Sequence, residues 1–167
     1  MKTLVVVRHA KAEPYAETDY ARRLTDRGRA DAADTGRFLA TAGITPTHAL
    51  VSDATRTQET WAELRASLGE GAQEDVSPAY YSASEHDLLE ALRSLPPEAS
   101  CVVLVGHNPT AAHVARLLVD GEGDPDVMRG LLEGFPPAAV AVLELPGDWS
   151  ELTEGGARLT RFHVGRG

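Results

Sequence analysis

Two histidines stand at the ends of the two most apolar stretches of the sequence. His9 closes the run VVVRHA, and His107 follows the run VVLVG in VVLVGHNP. A neutral imidazole has a reference pKa of about 6.5 and is a competent nucleophile near pH 7. Arg8 directly precedes His9, and a guanidinium carries a permanent charge on a planar fork that matches phosphate oxygens two at a time. These residue types predict chemistry on a phosphate-like group.

A third candidate, Arg56, lies in SDATRTQET near the start of a predicted helix. A cation at that end opposes the helix dipole by roughly 0.3–1 kcal/mol. Either solvent or Glu59 screens the charge, or Arg56 faces an anion that the helix N-terminus also attracts. From these residues alone both interpretations stay open.

The pattern of apolar residues predicts the elements that position these side chains. Apolar runs predict buried strands at 3–7 and 101–105 and further strands at 48–51, 138–145 and 158–164, and residues 75–79 are predicted to form either a short strand or an extended loop. Helical spacing predicts helices after Thr25, after Ser52 as N-cap, over 85–95 and up to Leu118, with a turn-rich loop at 121–125. Strands that alternate with helices indicate an α/β three-layer sandwich, with a mostly parallel central sheet and helices on both faces. Because ligands bind beyond the carboxyl ends of such strands, His9 and His107 should meet at one rim.

Length and charge narrow the class of protein. The 167 residues fit one domain over 1–167, and no apolar run approaches the ~20 residues of a membrane span. A formal net charge of −9 predicts that neither nucleic acid nor an anionic membrane is a partner. The single cysteine, Cys101, lies in an apolar run and indicates a buried, inert thiol and a reducing, cytoplasmic location.

The motifs together resemble a known family. RHA after the first strand, RTQET in the second helix and GHNP after a later strand are similar, in this order, to the histidine phosphatase superfamily. Ala10 stands where the family's opening motif has glycine. The stretch DYARRLTDRG resembles a motif of SixA-type phosphohistidine phosphatases, as do AYYSASEHDLLEALRSLP and FPPAAVAVLEL. The resemblance covers nearly the whole chain and implies a phosphoglycerate mutase-like fold.

The resemblance assigns roles to residues of this sequence. It implies that His9 is the nucleophile that becomes phosphorylated, and that Arg8, Arg56 and His107 form the phosphate pocket. Arg22, in the second arginine motif, is expected to contact phosphate or substrate. His107 would donate a hydrogen bond to phosphate, and we expect it to be protonated there.

The general acid is not identified. One branch of the family has an aspartate directly after the second histidine, where this chain has Asn108, to which we assign substrate binding. Glu13, Asp19 and Glu85 are candidate acids, although each also fits a solvated surface carboxylate. A phosphohistidine substrate would need less acid, because its imidazole leaving group has a conjugate-acid pKa near 6.5 whereas that of a phenol is near 10.

The sequence therefore predicts a metal-independent phosphatase without a cofactor. No HxH, HxxxH or HExxH spacing indicates a metal site. The expected partner is a phosphorylated protein carrying phosphohistidine, and the alternative is a small phosphorylated metabolite hydrolysed by a phosphomonoesterase of the same fold. A third alternative is a non-catalytic phosphate-binding adaptor, which would have no need of the nucleophile His9.

Overall fold

One six-stranded sheet organises the fold, and the computed structural model describes residues 1–167. The strands are β1 (Lys2–Arg8), β2 (His48–Ser52), β3 (Gln73–Ser77), β4 (Cys101–Gly106), β5 (Ala139–Leu145) and β6 (Arg158–Val164). The α-helices are α1 (Asp26–Thr41), α2 (Thr55–Leu68), α3 (Glu85–Arg93), α4 (Thr110–Leu118) and α5 (Pro125–Glu133). Short 3₁₀ helices cover Asp19–Ala21, Pro78–Tyr80 and Trp149–Glu151.

The strands follow the order β3-β2-β4-β1-β5-β6 across the sheet. The four strands β3, β2, β4 and β1 run parallel to one another, β5 pairs antiparallel with β1, and β6 pairs antiparallel with β5. The predicted α/β architecture with a mostly parallel sheet is confirmed. The two most apolar strands, β1 and β4, are neighbours at the centre, which is where a strand buried on both faces belongs.

Alternation along the central strands divides the core into two layers. Leu4 and Val6 of β1 pack in one cluster with residues of α3, α4 and α5, whereas Val5 and Val7 pack in the other with residues of α1 and α2. All four side chains are fully buried. Successive side chains of a strand point to opposite faces of the sheet, and both faces of β1 are apolar. Helices therefore cover both faces of the sheet.

Two local predictions are wrong. Ser52 does not cap the second helix; it ends β2, and α2 begins three residues later after Ala54. The loop predicted at 121–125 leads directly into α5, a helix absent from the prediction, whose first N–H groups are capped by the side chain of Asp124. No helix of the structure is long and apolar enough to cross a membrane.

Candidate active site

The two histidines meet at the carboxyl ends of the central strands. Parallel pairing sets Arg8 opposite Gly106, and the His9 N–H donates to the Gly106 carbonyl at 3.0 Å. His9 and His107 follow directly after these paired residues, and their ring centroids lie 5.4 Å apart with the planes tilted by 59°. The predicted shared rim is therefore present in the structure.

His9 is held in one tautomer. Its Nδ1 lies 2.8 Å from the carbonyl oxygen of Ala10, and because a carbonyl only accepts, Nδ1 carries the proton. The lone pair of the neutral ring is then on Nε2, which is the atom available for attack. Burial, with help from the charges of His107, Arg56 and Arg8, lowers the pKa of His9 to about 3 against the opposing effect of the Ala10 carbonyl. The ring is therefore neutral at pH 7, as a nucleophile requires.

Helix α2 fixes the peptide that follows His9. The N–H of Ala10 donates to Oγ1 of Thr60 at 3.0 Å, and that hydroxyl donates to the carbonyl oxygen of Arg56 at 2.7 Å. Thr60 is fully buried, so the chain of bonds is shielded from water. One buried hydroxyl thus ties the position of the nucleophile to the helix that carries Arg56.

Arg56 is the most deeply buried cation of the site, with 5% of its surface exposed. Its Nη1 donates to the main-chain oxygen of Asp19 at 2.7 Å, and its Nη2 donates to Asp19 Oδ2 at 2.9 Å. Nη2 also lies 3.3 Å from Nδ1 of His107. Its Nε is buried and has no hydrogen-bond partner. A buried unpaired donor costs about 1–3 kcal/mol, and functional sites are where such a cost is commonly found.

His107 is neutral in this arrangement. Because Arg56 can only donate, Nδ1 of His107 accepts, and the ring proton is on Nε2, which lies 2.8 Å from the hydroxyl of Ser52. Burial and the charge of Arg56 lower the pKa of His107 to about 4, although Asp19 acts in the opposite direction. The expected protonated imidazole is not the form that the structure favours. A phosphate dianion beside the ring would raise this pKa again.

Arg8 and Asn108 share one acceptor on the opposite side of the site. Nη1 of Arg8 donates to the carbonyl oxygen of Phe135 at 3.2 Å, and Nδ2 of Asn108 donates to the same oxygen at 2.8 Å. Nε of Arg8, like that of Arg56, is buried without a partner. The side-chain oxygen of Asn108 accepts from the N–H of Ala112 at 3.3 Å. Both polar groups of the Asn108 side chain are thus hydrogen-bonded to the backbone, and its contact with substrate stays a prediction.

The chain from Thr18 to Arg22 closes the site from a third side. Arg22 donates through Nε to the Glu13 carbonyl at 2.7 Å and through Nη1 to Asp19 Oδ1 at 3.1 Å. The hydroxyl of Tyr81 donates to Asp19 Oδ2, and its ring meets that of His107 edge-on at 5.3 Å. Arg22 therefore reaches the other residues through Asp19, the residue to which Arg56 is also bound.

Known proteins resemble this chain over nearly its whole length. The model of the histidine phosphatase superfamily (branch 1) matches residues 4–77. An uncharacterised protein of Mycobacterium tuberculosis is 32% identical over 162 residues, which are 96% of this chain and 100% of that protein. The chain belongs to the histidine phosphatase superfamily.

Solved structures place this histidine phosphatase in the SixA-like branch. A protein of Nakamurella multipartitia assigned to phosphohistidine phosphatase SixA is 29% identical with a TM-score of 0.86, over 98% of this chain and 96% of that chain. Its counterpart from Agrobacterium tumefaciens is 28% identical with a TM-score of 0.81, over 98% and 97%. The predicted branch and the phosphoglycerate mutase-like fold are confirmed, and the matches support the prediction of a phosphatase.

The candidate acids lie in three different settings in this histidine phosphatase. Tyr81 first, and then Arg56 and Arg22, hold the pKa of the Asp19 carboxyl well below its usual range. Asp19 is therefore ionised at neutral pH and has no proton to give. Glu85 accepts from His113 on the surface, and bonds from its own N–H and from His113 lower its pKa.

Glu13 contributes only its main chain to the site, so the general acid stays unassigned. No three His, Cys, Asp or Glu side chains are grouped so that they could share a metal ion. Sequence reasoning missed Ser52, Thr60 and Tyr81 as members of the site. Ser52 stood out only as a predicted helix cap, Thr60 in the interior of α2 carried no signal, and Tyr81 stood out only through the SixA-like stretch that contains it.

Proposed function

We propose that this chain is a metal-independent phosphatase that takes a phosphoryl group onto Nε2 of His9. The observation that carries the proposal is the bond from Nδ1 of His9 to the Ala10 carbonyl, because it leaves the Nε2 lone pair on a neutral, buried ring that lies within the influence of the charges of Arg56 and Arg8. A site that only bound phosphate would gain nothing from a histidine kept neutral, since an imidazolium would attract the anion more strongly. The adaptor alternative is therefore disfavoured.

The reaction would proceed in two displacements. Nε2 of His9 attacks phosphorus, the N–P or O–P bond of the substrate breaks in line, and its electron pair departs with the leaving group. Water then attacks the phosphohistidine, the new N–P bond breaks, and inorganic phosphate leaves. Arg8 and Arg56 are the donors that would meet the charge on the equatorial oxygens, and His107 would join them when its Nε2–H exchanges the hydroxyl of Ser52 for a phosphate oxygen. Each such donor is worth about 2.7–4 kcal/mol in a transition state, by analogy with oxyanion holes.

We infer that the preferred substrate is a phosphohistidine of another protein. Relatives at 28–29% identity are assigned to phosphohistidine phosphatase SixA, and this chain spans nearly their full length. The ionised state of Asp19 supports the same conclusion, because this carboxyl has no proton to give and an imidazole leaves more easily than an alkoxide.

The remaining expectations belong to the same proposal. We propose that residues 1–167 form one domain, because their number fits a single core. We also propose that the protein lies in the cytoplasm, because Cys101 is unpaired and buried. The net charge of −9 supports a partner other than nucleic acid or an anionic membrane. Arg22 and Asn108 are proposed to act on substrate at the edge of the cup formed by Arg8, His9, Arg56 and His107.

Trapping the intermediate tests the proposal. Purified protein is incubated with a phosphohistidine protein, with p-nitrophenyl phosphate and with a sugar phosphate, each with and without a chelator. We expect chelator-insensitive hydrolysis, fastest on phosphohistidine, and an acid-labile, base-stable phosphoryl group on the protein. His9→Ala should abolish both, whereas His113→Ala, a surface histidine paired with Glu85, should change neither. Turnover by His9→Ala would refute the nucleophile, and faster hydrolysis of sugar phosphates would refute the substrate class.

A further inference from the structure

Asp19 connects the groups at the mouth of the cup. Its carboxylate accepts from Nη2 of Arg56 at 2.9 Å, from Nη1 of Arg22 at 3.1 Å and from the hydroxyl of Tyr81. Its main-chain oxygen accepts from Nη1 of Arg56 at 2.7 Å. Both terminal nitrogens of Arg56 are therefore bound by one residue that has no role in the reaction described above.

These bonds determine which edge of Arg56 is available. A guanidinium can grip two oxygens either end-on, through Nη1 and Nη2, or side-on, through Nε and one Nη. Asp19 occupies the end-on edge of Arg56. On the side-on edge, Nη2 already donates to Nδ1 of His107, the neighbour of His9, so the one unpaired donor of that edge is Nε–H.

We propose that Asp19 is a positioning residue that holds Arg56 end-on, so that the Nε edge of Arg56 is presented to the phosphoryl group. The inference rests on the proposed phosphoryl transfer at His9. Arg8 offers the same edge, because Phe135 binds its Nη1 while its Nε is buried and unpaired. Each of the two arginines would then direct an unpaired Nε–H at phosphate while a protein oxygen holds its Nη1.

Two contacts hold the segment that carries Asp19. Thr18 caps the short helix by accepting from the N–H of Ala21 at 3.2 Å. The Tyr20 ring stacks on the Tyr81 ring with centroids 4.0 Å apart, which ties this helix to the chain after β3. Such contacts restrict the anchor before the substrate binds, which a positioning role needs because less freedom is then lost on binding.

A negative charge next to Arg56 has two opposite effects. It orients the guanidinium, but it also weakens the attraction of the cup for a phosphate anion. Removing the charge should therefore impair the chemical step without weakening the binding of phosphate. General damage to the site would weaken both, so the two measurements separate a positioning role from a structural one.

The test compares Asp19→Asn with Asp120→Asn. Asp120 pairs with Nε of Arg158 at 2.9 Å on the surface, the same separation as in the Arg56–Asp19 pair, and has no contact with the cup. For Asp19→Asn we expect kcat on a phosphohistidine protein to fall at least about tenfold, as misplacement of a reactive group implies. Binding of inorganic phosphate, measured by calorimetry, should be unchanged or tighter. Asp120→Asn should match the wild type in both.

A readout without turnover keeps this inference separate from the proposed function. If the guanidinium of Arg56 is held in one orientation, its Nη–H groups should give resolved signals in a ¹⁵N spectrum. These signals are assigned by their absence in Arg56→Lys, and Asp19→Asn should broaden them. Unchanged signals would refute the positioning role even if the enzyme had no activity. If Asp19→Asn left kcat unchanged and bound phosphate more tightly, Asp19 would only compete with the substrate for Arg56. If kcat fell only for substrates with poor leaving groups, Asp19 would act as a general acid. Either result overturns the proposal.

Discussion

Arg56 makes contacts that a lysine could not make at once, because an ammonium is a compact point charge whereas a guanidinium is a planar fork. Its two terminal nitrogens reach two oxygens of Asp19 and one nitrogen of His107. Arg56→Lys keeps the charge but loses this geometry. We expect kcat/KM on a phosphohistidine protein to fall by about 10²–10³, the loss that follows removal of one oxyanion donor.

A matched control lies on the same helix. Arg65 pairs with Glu74 and is about one-third exposed, so Arg65→Lys makes the same chemical change near the other end of α2. We expect it to leave kcat/KM unchanged and to cost less than about 1 kcal/mol in the free energy of unfolding. Equal effects of the two substitutions on kcat/KM would mean that charge alone, and not the fork, matters at position 56.

At the scale of single residues, the sequence identified the groups that carry charge or a lone pair but not their partners. Arg8, His9 and His107 were recognisable because they follow apolar runs, and Arg56 because a cation near a helix start opposes the helix dipole. Phe135 binds Arg8 through its carbonyl oxygen, and every residue type has that group. The hydroxyl of Ser52 reaches His107 across 55 positions of sequence, a proximity that only the pairing of β2 with β4 creates.

At the scale of elements, the chain after His9 folds back on the start of α1. The Lys11 carbonyl accepts from the N–H of Thr25 at 3.0 Å and from its hydroxyl at 3.3 Å. Gly28, in the first turn of the helix, lies against the same carbonyl. The helix start therefore supports the loop that leads away from the nucleophile.

Gly28→Ala tests this support. In most helices the change from Gly to Ala is stabilising by about 1 kcal/mol. Here an added Cβ would lie 2.0 Å from the Lys11 carbonyl oxygen, so the loop after His9 would have to move. We expect the free energy of unfolding to fall by about 1–3 kcal/mol, as in overpacked cores, and kcat to fall with it.

The control for this substitution is Gly71→Ala. A Cβ there would meet nothing within 4 Å. Urea unfolding should show little change for Gly71→Ala and a lower midpoint for Gly28→Ala. If Gly28→Ala raised the free energy of unfolding, the loop after His9 would be able to move without cost and would not hold His9 in place.

The sequence predicted the elements that are long or strongly apolar and missed α5. The strands β1 and β4 were clear because both of their faces are buried. Helix α5 has only nine residues, buries only Leu131, and carries Gly130 in its interior. That glycine is required by packing, since a Cβ would lie 2.8 Å from the ring of Phe162 in β6. Tertiary contact thus overrides a composition typical of a loop.

At the scale of the whole molecule, the buried His9 and the half-buried His107 make stability depend on pH. Burial is the largest cause that lowers the pKa of His9 to about 3 and that of His107 to about 4, whereas an unfolded chain has imidazoles near 6.5. As the pH falls below about 6.5, the imidazoles of the unfolded state bind protons, whereas those of the folded state stay neutral. Stability is therefore lost on acidification, before most carboxylates begin to titrate.

Urea unfolding at pH 7, 6 and 5 measures this effect. Each histidine should remove up to about 2 kcal/mol from the free energy of unfolding by pH 5, at 1.36 kcal/mol per pKa unit. The double variant His9→Asn, His107→Gln carries no imidazole at the site, so its stability should change much less between pH 7 and pH 5. If wild type and double variant lost stability in parallel, the two rings would not be neutral and buried, and the chemistry proposed at Nε2 of His9 would lose its basis.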